Sequence, residues 1–275
     1  MKGVQADMGM EDNLKIKLYY QDSYDENGRM KRNPLEFMRS KEIISRYLCA
    51  LQMEIADIGG AAGAYSYWLA AQGHHVHLLD FTPSHIEQAK KYGRKNKTQL
   101  SSYDCSDARQ LPYEDDSFDM VLVMGPLYHL QEKEDRLRCL AEARRVLKPG
   151  GTLLCSLISR YASLFDGFGE LFVNDDRFVG ILESALETGR HSPGETPYFT
   201  SAFFHSPGDI EDELMTTGFH SIDLIAIEGF ARAANVADIL KNEKQTNLLL
   251  EYIKKTERVP ELMGMSDHFF AVTSK

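Results

Sequence analysis

The sequence predicts a doubly wound α/β protein whose sheet is mostly parallel and has seven strands. Three observations carry that expectation. Short apolar runs alternate with amphipathic stretches from about residue 54 to 155, a glycine-rich turn follows the first of these runs, and the alternation resumes from residue 207 after a looser interval. With 43% hydrophobic and 26% charged residues over 275 positions, the chain can bury a full core.

In chain order, residues 1–13 are expected to fray. Pro34 to Leu48 is an amphipathic stretch, so residues 1–50 read as an N-terminal helical segment. Ile55 to Ile58 is the first strand, and the helix Tyr65 to Gln72 follows the glycine-rich turn. Val76 to Asp80 is the second strand. Its helix runs from Ser84 to about Lys95, with Pro83 suited to the first helical position. A weaker strand is expected near Gln99 to Tyr103. The stronger one at Phe118 to Met124 contains Met120-Val121-Leu122-Val123, the continuous apolar run of a strand covered on both faces. Glu132 to Leu147 is a helix stopped by Lys148-Pro149-Gly150-Gly151, and Thr152 to Leu157 is the next strand. Residues 51–158 thus read as the Rossmann-like core, the part expected to hold any cofactor at its strand ends. Residues 159–207 mix aromatics such as Phe165, Phe172, Tyr198 and Phe204 with turn formers, which reads as an inserted lid. Residues 208–275 close the sheet with helices at Pro207 to Thr217 and Lys244 to Thr256, and strands at His220 to Glu228 and His268 to Thr273.

A formal charge of -10 would repel a phosphate backbone, so nucleic acid is not an expected partner. No apolar run reaches the roughly 18 to 20 residues of a membrane span, and the first residues lack a signal-peptide pattern, so the expected location is cytoplasmic. Cys49, Cys105, Cys139 and Cys155 form no CxxC pair and read as buried free thiols. His75 and His77 would share one face of a strand, but no third ligand lies near in sequence, so no metal is expected.

The turn Asp57-Ile58-Gly59-Gly60-Ala61-Ala62-Gly63 places glycines where a backbone turns tightly and approaches a nucleotide-type ligand. A dinucleotide fingerprint would need glycine at 59, 61 and 64, yet Ala61 and Ala64 stand at two of these. A phosphate loop is excluded because no GK[ST] follows. Asp80 ends the second strand 21 positions after Gly59, where a carboxylate can accept both ribose hydroxyls or cap the following helix. Phe81 beside it can cover an adenine face or join the core.

Asp57 to Gly63 resembles motif I of the class I S-adenosylmethionine-dependent methyltransferases, an acid followed by Gly-x-Gly-x-Gly, with Ala61 where the middle glycine usually sits. Ser106-Asp107-Ala108, Leu111-Pro112-Tyr113 and Asp116-Ser117-Phe118-Asp119 are similar to the family's DAxxLPFxDxSFD stretch, and Arg145 to Gly151 to its RxLKPGG stop. The resemblance covers about residues 54–157. It implies a Rossmann-like fold with an antiparallel last strand, and S-adenosylmethionine as cofactor. The methionine and ribose portions would then meet Gly59, Gly60, Ala61 and Gly63. Asp107 would accept from the adenine amino group and the Ala108 N–H would reach a ring nitrogen, although Asp107 alone also suits a surface turn. Met124 would line the cofactor. Tyr128 and His129 would orient or deprotonate an acceptor, or simply pack before the next helix. Tyr19, Tyr20, Tyr24, Arg29, Arg32 and Arg39 belong to a segment that such enzymes fold over the cofactor. Arg39 would pair with its carboxylate or lie on a solvated helix face. The lid suits an apolar or aromatic small-molecule acceptor, or a contact between two copies in a homodimer. The implied activity is in-line displacement at the sulfonium methyl. A non-catalytic cofactor-binding module and an NAD-dependent oxidoreductase are the alternatives.

Overall fold

The computed structural model describes residues 33–194 and 196–275. The described residues form a seven-stranded sheet. Its strands are β1 (Glu54–Ile58), β2 (His75–Asp80), β3 (Ser102–Cys105), β4 (Phe118–Val123), β5 (Leu147–Ile158), β8 (His220–Ala226) and β9 (His268–Ser274), in the order β3-β2-β1-β4-β5-β9-β8. Strands β1 to β5 pair in parallel, while β9 runs antiparallel between β5 and β8. Helix α1 (Pro34–Ser45) precedes β1, and the parallel pairs require crossovers, which carry α2 (Ala64–Ala70), α3 (Pro83–Asn96), α4 (Pro126–His129) and α5 (Lys133–Val146).

Alternation along each strand divides the core. In β4, Met120 and Leu122 join one apolar layer while Val121 and Val123 join the other, and all four are fully buried. Each such side chain contributes about 1.5 to 3 kcal/mol, which is why this continuous apolar run belongs at the centre of the sheet. The register brings the carboxyl ends of β1, β2 and β4 to one edge, where Ile58 pairs with both Leu79 and Val123. That edge, beside the point where strand order reverses, is where open α/β sheets hold ligands.

Three expectations are corrected. The third strand lies at Ser102–Cys105, three residues beyond its expected start, because as an edge strand it carries little hydrophobic pattern. Helix α5 does end at Val146, but β5 begins at once with Leu147. Lys148 to Gly151 form an irregularity in which the register slips between Phe118 and Met120, with Gly150 at φ +76. Cys139 and Cys155 are buried as expected, whereas Cys49 and Cys105 are exposed.

The inserted segment leaves and returns at one place: Ser159 bridges His205, the His205 N–H donates to Ile158 O at 2.9 Å, and Arg160 N–H to His205 O at 2.9 Å. Between these ends lie α6 (Ala162–Gly169), α7 (Asp176–Thr188) and the short pair β6 (Arg190–His191) and β7 (Ala202–Phe203). Phe172, Phe178 and Tyr198 pack ring against ring at 4.7 to 5.4 Å between centroids. The chain then enters α8 (Pro207–Thr216) through a capping box of Ser206 and Asp209. From the sheet's other edge, α9 (Val236–Ile239), α10 (Glu243–Thr256) and α11 (Pro260–Met263) lead into β9.

Candidate functional site

The glycine-rich turn is held by β2. Gly59 N–H donates to Leu79 O at 2.7 Å, Ala61 N–H to Asp80 Oδ2 at 2.9 Å, and Gly63 N–H to Gly60 O at 2.9 Å. Gly59 and Gly63 adopt φ +72 and +82, the left-handed region that glycine enters freely. The glycines also serve packing within the chain: a Cβ at Gly59 would lie 2.4 Å from Pro126 Cδ, and one at Gly60 2.5 Å from Asp57 Oδ2. Beneath the turn, Asp57 is fully buried and its Oδ2 accepts from the Ser66 hydroxyl at 2.5 Å. Burial pushes the Asp57 carboxyl up to about 6; the Ser66 hydrogen bond opposes this and the nearby Asp80 charge adds to it.

Asp80 joins two elements. Its Oδ2 accepts from the turn, while Oδ1 accepts from Thr82 N–H at 2.8 Å and faces His85 Nδ1 at 3.1 Å. It therefore braces the start of α3 as well as facing the cleft. Asp107 takes Arg109 Nε at 3.0 Å and Nη2 at 2.6 Å, and Arg109 also reaches Asp135 at 2.7 Å. This clamp orients the Asp107 carboxylate on the loop after β3.

A cleft at this edge is lined by Gly59, Ala61, Asp80, Phe81, Asp107, Ala108, Met124, Tyr128 and His129. Gly60 and Gly63 belong to the same turn but not to that lining. On the far side of Tyr128 is a cavity of about 1070 Å³ beneath the inserted segment, lined in part by Ile158, Phe199 and Phe204. Tyr128 packs in one apolar cluster with these three residues, and the His129 ring faces that of Phe199 at 6.4 Å. Tyr128 and His129 thus form a wall between cleft and cavity, with the Tyr128 hydroxyl tied to Met124 O at 3.2 Å.

The family model described as a methyltransferase domain matches residues 56–155. Methyltransferase GfsG of Streptomyces halstedii is 32% identical over 102 residues, which is 36% of this chain and 36% of that protein. The ubiquinone biosynthesis O-methyltransferase of Rickettsia canadensis is 26% identical over 226 residues, covering 82% of this chain and 84% of that protein. The fold of an S-adenosylmethionine-dependent methyltransferase from Methanosarcina mazei superposes with a TM-score of 0.58 at 20% identity, over 85% of this chain and 96% of that one. Residues 56–155 carry a methyltransferase domain of the class I S-adenosylmethionine-dependent type.

S-adenosylmethionine is the cofactor of such domains, and the cleft suits it: exposed backbone of the turn at one end, the Asp80 and Asp107 carboxylates on successive strand ends, and the apolar Ala108 and Phe81 beside them. The antiparallel β9 between β5 and β8 also separates this sheet from the dinucleotide-binding order 3-2-1-4-5-6, against the oxidoreductase alternative.

One expected site residue is elsewhere. Arg39 is 1% exposed on α1, where Nε donates to Ile227 O at 3.2 Å, Nη2 to Glu257 at 2.6 Å and Nη1 to Glu42. Its guanidinium is consumed in joining α1 to the chain beyond α10 and does not reach the cleft. Tyr19, Tyr20, Tyr24, Arg29 and Arg32 lie outside the described residues. His75 and His77 do share a face, and both meet Glu54. Sequence reasoning missed His85 and Arg109, although Arg109 stands two residues from Asp107 and could have been found as its partner.

Proposed function

We propose that the chain transfers the S-adenosylmethionine methyl group to a small-molecule acceptor held in the cavity under the lid. The observation that carries the reading is the shared wall: Tyr128 and His129 line the cleft, and Tyr128 packs with residues that line the cavity. A ligand in each space would meet at this wall.

The turn backbone at Gly59 and Ala61 and the side chain of Met124 hold the methionine and ribose portions, with Gly60 and Gly63 shaping the turn from behind. Asp80 accepts the ribose hydroxyls. Asp107 and Ala108 read the adenine edge, and Phe81 covers its face. When bound, the cofactor supplies an electrophilic methyl carbon on a sulfonium, and the acceptor's nucleophile displaces S-adenosylhomocysteine from it. The protein's main contribution is to hold that nucleophile in line and to exclude water with the lid aromatics. His129 is placed to take the proton the nucleophile loses, and Tyr128 to orient the acceptor. The curated relative named for ubiquinone biosynthesis supports a small aromatic acceptor over a macromolecule.

Two measurements test this. Asp107→Ala is expected to weaken S-adenosylmethionine binding by about 1 to 3 kcal/mol in calorimetry, and unchanged affinity would remove Asp107 from the site. Methyl-labelled cofactor incubated with phenolic, amine and carbon acceptors is expected to label one class. Tight cofactor binding with no transfer to any of them would favour the non-catalytic module.

A further inference from the structure

A polar pair interrupts the apolar wall of the cavity. Ile158, Ala162, Phe199 and Phe204 line that wall, and Ser163 and His191 line the cavity with them. Ser163 lies on α6 and is 4% exposed, while His191 lies on β6 and is 2% exposed. The His191 ring is nearly parallel to that of Phe204, with 4.9 Å between centroids. Its two nitrogens have different partners: Nε2 is 3.1 Å from Phe199 O, and Nδ1 is 3.1 Å from Ser163 Oγ. A carbonyl oxygen only accepts, so Nε2 carries the ring proton and donates to Phe199 O. Burial lowers the imidazole to about 4, so the ring is neutral near pH 7 and Nδ1 holds a lone pair. The Ser163 hydroxyl therefore donates to Nδ1, and its one proton is committed.

A serine oxygen also has two lone pairs, and no donor among the described residues reaches those of Ser163. To a ligand, Ser163 is thus an acceptor and not a donor. A ligand hydroxyl or N–H would satisfy it, whereas an ether, ketone or carboxylate oxygen would gain a donor only by breaking the bond to His191. The wall around it is apolar and His191 is uncharged, so a charged group placed there would be buried without a partner. Phe199 links the pair to the wall shared with the cleft, its ring 6.2 Å from that of His191 and 6.4 Å from that of His129. A flat ligand packed along Phe199 meets Ser163 with one end and the Tyr128–His129 wall with the other.

We propose that Ser163, oriented by His191, is a specificity-determining residue that accepts a hydrogen bond from the methyl acceptor, a neutral aromatic molecule with a hydroxyl or N–H at the end remote from the methylated atom. The proposal rests on the methyl-transfer reading, and its test separates the two. The full chain, saturated with S-adenosylhomocysteine, is titrated in a calorimeter with 4-ethylphenol and 4-ethylanisole, which share a body and differ in whether the oxygen can donate. The phenol is expected to bind about fivefold more tightly, the equivalent of one neutral hydrogen bond. Ser163→Ala is expected to remove most of that advantage by weakening the phenol, while the anisole and S-adenosylhomocysteine keep their affinities. His191→Phe frees the Ser163 proton to donate, so the anisole is expected to gain on the phenol; a role in packing alone would weaken both probes alike. If Ser163→Ala does not fold, His191→Phe carries the test. Equal binding of the two probes to the wild type, no binding of either, an advantage that survives Ser163→Ala, or equal losses of both probes in the variants overturns the assignment. Failure of the wild-type chain to bind S-adenosylhomocysteine overturns the methyltransferase reading instead.

Discussion

Ala61 occupies the turn position at which the family usually has glycine, and it does so at φ +50. An L-residue with a Cβ held in this region costs about 1 to 2 kcal/mol relative to glycine. The conformation is imposed by neighbours: the Ala61 N–H donates to Asp80 Oδ2 at 2.9 Å, and Gly59 is pinned to Leu79 O on the other side. Ala61→Gly would relieve that strain but add about 0.4 to 1 kcal/mol of chain entropy to the unfolded state. The net expectation is a gain of about 0.5 to 1 kcal/mol, read as a higher urea midpoint at unchanged slope and a Tm increase of about 1 to 3 °C. Because the turn already has the shape it needs, S-adenosylmethionine affinity should stay within about twofold, well inside the tenfold that corresponds to 1.4 kcal/mol. Ala61→Val, β-branched at positive φ, should lose stability. A destabilised Ala61→Gly variant would refute the strain argument, and a large loss of cofactor affinity would show that the Ala61 methyl itself makes a binding contact.

Two other variants probe parts of the fold that the sequence either misassigned or left unassigned. Arg39→Ala leaves Glu257, 2% exposed, with the partly exposed Arg46 at 2.6 Å and Arg258 as its remaining partners, so a loss of about 2 kcal/mol, that of one hydrogen bond to a charged group, is expected in denaturant unfolding. Its S-adenosylhomocysteine affinity should be unchanged, whereas a tenfold loss would restore Arg39 to the cofactor. The Asp57 carboxyl is raised from 3.8 to about 6 in the folded chain, so its charge destabilises the fold by about 3 kcal/mol above pH 6 and by nothing below the unfolded value. Asp57→Asn should therefore gain stability relative to the parent as pH rises from 4 to 7, over whatever constant offset the amide introduces. A stability difference independent of pH across that range would show that Asp57 is not charged at a cost.

What the sequence made legible follows from how each part is built. The residues that line the cleft fall between 59 and 130, in strand ends and the turns directly after them, so periodicity and spacing were enough to locate it. Arg39 was misplaced because its partner Glu257 is 218 residues away, and nothing local distinguishes a buried arginine from a solvated one. The edge strand β3 was displaced because half-exposed strands carry a weak pattern. The cavity is the extreme case: its walls come from residues near 34–36, 158–178, 191–204, 228–240 and 267–268, brought together only by the order β5-β9-β8 and the return of the lid at His205. The cleft is thus written in adjacent residues and the cavity in distant ones. The same division lets the cavity walls change by substitution while the turn and its hydrogen bonds to β2 stay untouched.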